Sequence, residues 1–226
     1  MSQAYDKICK LISAICYEHD KFSQAYLDTY EDSALNLKKK EVKDIMISDH
    51  EIIKYSFLQL IQDYLDQLGN LVVDLEYEYE YEDLDFRLRI KQKDSIVNKI
   101  YHYKFGKNEE GKVPLNKCLN DLLGLRIIVN SFDHNCEDFK SICENLKKDY
   151  KMTKINSSKD KYKATHVYFY GNNKYFPWEL QIWDSSDSQQ NETSHKEHKS
   201  KREYINWPQM YAKSNEYEYS KKGGDL

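Results

Sequence analysis

The chain has 226 residues, 40% hydrophobic and 32% charged, with a formal net charge of −4 at pH 7. That length suits one α/β domain with helical additions and excludes two domains of ordinary size, while the charge gives no global attraction to nucleic acid. No run approaches the roughly 20 apolar residues of a membrane span, and the start MSQAYDKICKLISAICYEHD carries acidic residues where a signal peptide has its small-residue cleavage site, so a cytoplasmic protein is expected.

The first 70 residues read as helices belonging to the same domain as the rest of the chain. Ser48 to Glu51 resembles a capping box, and Ile53, Phe57, Leu60, Ile61, Tyr64 and Leu68 come after it at helical spacing until Gly69, where the run is expected to stop. The alternation from Glu76 to Glu82 predicts an edge strand or extended arm. From about Val72 onward, strand-like segments alternate with helices. Strands are expected near 85–91, 124–131, 164–171 and 177–183. Asp94 is expected to cap a helix running to about Tyr103, and Asp133 another whose Phe139, Ile142, Cys143 and Leu146 share a face. The lysine-rich stretch after Glu192 reads as a helix, and residues 206–226 as a C-terminal tail, frayed from Ser220. Seven glycines and three prolines leave no linker. Cys9, Cys16, Cys118, Cys136 and Cys143 are odd in number and form no C-x-x-C pair, so they read as buried thiols.

Chemistry concentrates in four segments. Arg89 and Lys91 share one side of a strand end, and Ser95 and Lys99 lie on the first turns of the helix after it. Three cations, a hydroxyl and helix N-terminal amides suit a polyphosphate. Asp121 stands just ahead of an apolar strand that contains Arg126, a residue needing a partner if buried. In the strand from Trp178 to Trp183, Glu179, Gln181 and Trp183 point one way, and a glutamate on an inner strand is costly to bury without a cation. Asp121 and Glu179 together can hold Mg²⁺ on a nucleoside triphosphate. Lys161 and Lys163 flank the aromatic ring of Tyr162 with cations, so that the ring can stack on a base and its neighbours meet phosphates. His166 comes next on the same strand.

In order, these segments resemble the RelA/SpoT synthetase family, whose pattern runs R-x-K-x-x-x-S-x-x-x-K, D-x-x-G-x-R, G-Y-x-S-x-H, E-x-Q, then a helix with a glutamate and a histidine. Arg89, Lys91, Ser95 and Lys99 match the first block, Asp121, Gly124 and Arg126 the second, Tyr162 and His166 the third, Glu179 and Gln181 the fourth. The last matches Glu192 with His198, or Glu197 with His198; spacing favours Glu192. Lys161 replaces the family's glycine, Ala164 its serine, and Trp183-Asp184 its Arg-Thr. All three changes surround the acceptor.

The resemblance covers roughly residues 50–205 and makes 71–205 the synthetase core. It implies an α+β, nucleotidyltransferase-like fold with N-terminal helices and a mixed sheet of about five strands flanked by helices. It also implies an ATP-dependent pyrophosphokinase in which Arg89, Lys91, Ser95 and Lys99 hold ATP, Asp121 binds Mg²⁺, and Glu179 shares the metal or activates the hydroxyl. Arg126 and Gln181 join this catalytic group; Tyr162, His166, Lys161, Lys163, Glu192 and His198 serve the acceptor. The acceptor is GDP or GTP, giving (p)ppGpp, or else the 3′ end of tRNA. Partners implied are an antitoxin or further copies of the chain. A non-catalytic RNA-binding module is the remaining reading, favoured by the 20 tyrosines. The pair His19-Asp20 lacks the further histidines of a metal phosphohydrolase, so hydrolysis is not expected.

Overall fold

The computed structural model describes residues 3–29, 35–47, 51–106, 108–200 and 205–222. Helix α1 (Gln3–Thr29) carries Ile8, Leu11, Ile12 and Ile15 at helical spacing, all fully buried. A short 3₁₀ turn leads to the antiparallel pair β1 (Met46–Ile47) and β2 (Ile52–Ile53). The capping box read at Ser48–Glu51 falls, except for Glu51, outside the described residues. Helix α2 (Tyr55–Asp74) buries Phe57, Leu60, Ile61, Tyr64 and Leu68. Gly69 does not end it. Leu71 and Val72 still pack on the core beyond the glycine, and that packing outweighs the roughly 1 kcal/mol a helical glycine costs.

The alternating Glu/Tyr stretch is not a strand. It forms the single turn α3 (Tyr77–Glu80) and a 3₁₀ turn over Glu82–Leu84, because Tyr77 and Tyr81, four apart, both pack their rings against Phe86. There follow β3 (Arg87–Ile90), α4 (Lys93–Phe105), α5 (Leu115–Cys118), β4 (Leu123–Val129), α6 (Glu137–Leu146), β5 (Met152–Asn156), β6 (Thr165–Phe169), β7 (Trp178–Asp184), α7 (Ser188–Ser200) and α8 (Trp207–Lys222).

Strands β3 to β7 form one mixed sheet in the order β3-β4-β7-β6-β5, with β4 and β7 parallel and the other neighbours antiparallel. The expected α+β architecture with five strands flanked by helices is therefore observed. Its fifth strand is β5, between Lys147 and Lys163, where the sequence carried no strand expectation. Two capping expectations are also corrected. Asp94 lies inside α4 and accepts the Trp207 amide at 2.8 Å, so it caps α8 instead of its own helix. Asp133 accepts from the Asn135 amide in the preceding turn, and Cys136 stands at the N-cap of α6. The expected tail is mostly helix, since α8 packs on α2 and β2 and buries Trp207, Met210 and Ser214.

Strand alternation divides the sheet. Leu125, Ile127, Leu180, Ile182, Val167 and Phe169 are buried in the core, and Trp178 donates from Nε1 to the hydroxyl of buried Tyr64 on α2 at 2.9 Å. The opposite face carries polar side chains. Its register aligns Arg89, Gly124, Glu179, Tyr168 and Thr153 in one row across the strands, and Arg87, Arg126, Gln181, His166 and Ile155 in the next. Cys16, Cys118 and Cys143 are buried, Cys9 and Cys136 half-buried.

Candidate active site

The two rows bring together side chains far apart along the chain, 92 residues in the case of Arg89 and Gln181. At the β3–α4 end, Lys91 is buried and donates to Asp121 Oδ2 at 2.5 Å, while Lys99, two turns into α4, reaches Asp121 Oδ1 at 3.0 Å and Asn120 at 2.8 Å. Burial alone would raise Asp121, but the Lys99 and Lys91 ammoniums outweigh it and hold this carboxyl well below the usual range. The cations expected to face a polyphosphate are thus already gathered, two of them on one carboxylate. Arg89 is exposed at the end of the same row, and Ser95 lies in the first turn of α4.

Beside this pair runs a closed circuit of contacts. Arg126 donates to Gln181 Oε1 at 3.4 Å, and Gln181 donates in turn to Glu179 Oε2 at 2.9 Å. His166 Nδ1 lies 3.0 Å from Glu179 Oε1, and its Nε2 lies 3.0 Å from the Tyr162 hydroxyl. Trp183 Nε1 donates to that hydroxyl at 3.3 Å, and the Arg126 guanidinium sits 3.7 Å from the Trp183 ring centroid, which closes the circuit. The donors assign themselves. A carboxylate only accepts, so Nδ1 of His166 donates to Glu179, and an indole N–H only donates, so the Tyr162 oxygen accepts from Trp183. Burial pushes the Tyr162 phenol up to about 12, which keeps it a donor at neutral pH. Glu179 is buried, which would raise it, yet the hydrogen bond and electrostatic attraction of His166 hold it below its ordinary value. Asp121 acts in the opposite sense on Glu179, so the two carboxylates are near enough to feel each other.

Helix α7 closes the far side. Glu192 accepts from Arg126 at 2.8 Å. The side chain of His198 lies outside the described residues. A different histidine, His195, lies at the circuit: it stacks on Tyr162 with centroids 5.3 Å apart and meets Trp183 edge-on. Lys161 is exposed beside Tyr162, whereas Lys163 is paired with Asp187 at 3.0 Å. Reading the sequence also missed Tyr168, whose hydroxyl lies 3.2 Å from His166 Nδ1, and Arg87, which lines a cavity of about 450 Å³ with Asp85, Ile128, Ser188 and Glu192. Strand alternation would have found both, since Tyr168 is two residues beyond His166 and Arg87 two before Arg89.

The chain is similar to known proteins to different degrees. Residues 88–204 match the family described as the region found in RelA and SpoT proteins. No curated protein matches the chain. Among solved structures, the small alarmone synthetase 1 of Bacillus subtilis bound to its product pppGpp is 19% identical, with 75% of this chain and 95% of that chain covered and a TM-score of 0.36. The small alarmone synthetase 2 of the same organism is 18% identical, with 74% and 92% covered and a TM-score of 0.35. A GTP pyrophosphokinase family protein of Streptococcus pneumoniae is 19% identical, with 69% and 79% covered and a TM-score of 0.36.

Proposed function

Since the chain belongs to the RelA/SpoT family, we propose that it is a pyrophosphokinase that transfers the β,γ-pyrophosphate of ATP to the 3′-hydroxyl of GDP or GTP. The observation that carries this reading is the adjacency of the Lys91–Asp121–Lys99 cluster to the Glu179–His166–Tyr162 chain on one sheet face. A pyrophosphoryl donor needs cations along its phosphates, and an acceptor needs a platform that holds its hydroxyl in line. Arg89, Lys91, Ser95 and Lys99 bind the ATP phosphates, and Tyr162 stacks on the acceptor base with His166 beside it. The acceptor hydroxyl oxygen forms the new bond to the β-phosphorus and gives up its proton to water, the bond from that phosphorus to the α-bridging oxygen breaks, and AMP leaves with the electron pair.

Asp121 and Glu179 would hold Mg²⁺ if Lys91 and Lys99, now on the two oxygens of Asp121, turned to the phosphates. Among the described residues no group of three or more His, Cys, Asp or Glu can hold a metal. Two carboxylates completed by phosphate oxygens and water are the set this ion takes. When bound, it would offset the charge that builds on the phosphates. Glu179, held ionised by its depressed pKa, suits metal binding better than proton abstraction. A second acceptor, the 3′ end of tRNA, is favoured by the exposed Lys159 and Lys161 around Tyr162.

The test is transfer of label from γ-labelled ATP with Mg²⁺ to GDP, GTP or deacylated tRNA in separate reactions. Label on GDP or GTP supports the first acceptor and label on tRNA the second. Glu179→Gln should lower transfer at least about 100-fold, the scale of losing one charge-stabilising group, and full turnover in that variant would remove Glu179 from the metal site. Nucleic-acid binding without any transfer would favour the RNA-binding module.

A further inference from the structure

We propose that Asn191 and His195 of α7 are positioning residues that set the plane of Tyr162, and so govern affinity for the acceptor while leaving the donor site alone. This rests on Tyr162 being the ring on which the acceptor base stacks. Helix α7, of sequence SQQNETSHKEHKS, contains no hydrophobic side chain. Such a helix has no apolar stripe to bury, so polar contacts must dock it. Asn191 is fully buried and does so from both ends of its amide: it accepts from the Lys163 amide at 2.9 Å and donates to the Lys163 carbonyl at 2.7 Å. The residue after Tyr162 is thereby tied to α7 as if by a strand pairing.

One helical turn on, His195 projects from the same face as Asn191 and lays its ring on Tyr162 at 29° between planes. His166 and Trp183 meet that tyrosine edge-on, at 83° and 87°. Among the described residues no other ring stacks on Tyr162. His195 therefore backs one face, the hydroxyl is pinned by His166 and Trp183, and in this proposal the acceptor base takes the opposite face. A sandwich of base, Tyr162 and His195 is what this geometry builds. The donor cluster is held by its own ion pairs, from Lys91 and Lys99 to Asp121, so loss of His195 should be felt on one substrate only.

Label transfer from γ-labelled ATP, measured against the concentration of each substrate, and calorimetric binding of GDP, GTP and deacylated tRNA test this in the wild type, His195→Ala, His195→Phe and Asn191→Ala. The expected result is that His195→Ala and Asn191→Ala raise acceptor KM and Kd by about 3- to 10-fold, the scale of one aromatic pair, with ATP KM within about twofold of wild type. His195→Phe should restore the acceptor values, because a flat ring suffices. Equal losses for donor and acceptor, unchanged acceptor values, or a Phe variant no better than Ala would each overturn the proposal. A wild type that binds an acceptor without transferring label refutes the reaction proposed above, and the Kd ratios then decide positioning by the same criteria. A wild type that binds no acceptor overturns both.

Discussion

Asp121 is held by two cations, with Lys91 on one oxygen and Lys99 on the other. Its side chain and that of Lys91 are 14% and 6% exposed, so solvent does little to screen the pair. Removing one member of a buried ion pair leaves the other charge stranded, at a cost of about 3 kcal/mol or more. Asp121→Asn should accordingly lower Tm by roughly 6–12 °C for a chain of this size, read by calorimetry. The pH dependence follows from the direction of the shift. An unfolded aspartate takes up its proton near pH 4, while folded Asp121 keeps its charge to lower pH, so its stabilisation is present above that value and drains away as pH falls further. The Tm of the wild type should drop more steeply than that of Asp121→Asn below about pH 4, and parallel curves would mean that Asp121 is not held by the two lysines. The place of Asp121, just ahead of an apolar strand, was legible in the sequence. That both lysines would converge on it was not, because 22 and 30 residues separate them from it.

Helix α4 carries Ser95 and Lys99 on one side and is tied to α8 by the other. Asp94 accepts the Trp207 amide and Asn98 accepts the Ile205 amide at 3.2 Å, so α8 is fastened to the helix that presents Ser95 and Lys99. Asp94→Ala should cost about 1 kcal/mol, the value of a lost cap, and should speed hydrogen exchange of amides 207–210. Unchanged exchange there would show that Trp207 and Met210 hold α8 by packing alone. Elements were legible where one periodicity dominated, as in α2, β4 and β7. They were misread where local pattern and tertiary packing disagreed: Glu76 to Glu82 alternates like a strand, but the rings of Tyr77 and Tyr81 find Phe86 only if the chain turns. β5 was hidden for the opposite reason. An edge strand of Met, Thr, Lys, Ile and Asn buries only Met152, so its sequence carries little hydrophobic signal.

The whole molecule is a sheet with two unlike faces. One packs Trp178 against Tyr64 beneath α2, where loss of the tyrosine hydroxyl would leave a buried indole N–H unpaired. Tyr64→Phe should lower stability by about 1–3 kcal/mol in denaturant melts without altering acceptor KM, and a change in KM would couple the core to the site. The other face holds the polar rows. Among the described residues no helix is long and apolar enough to cross a membrane. The order of residues was enough to reveal the family, the five motif blocks and which faces of β4 and β7 are polar, because period-two alternation and residue spacing are local properties of the chain. Tertiary packing was needed to establish that Arg126 closes a circuit through Trp183, that Glu192 is its partner, and that His195 backs Tyr162. Those contacts depend on strand order, on the parallel register of β4 with β7 and on how a wholly polar α7 docks, none of which any local pattern encodes.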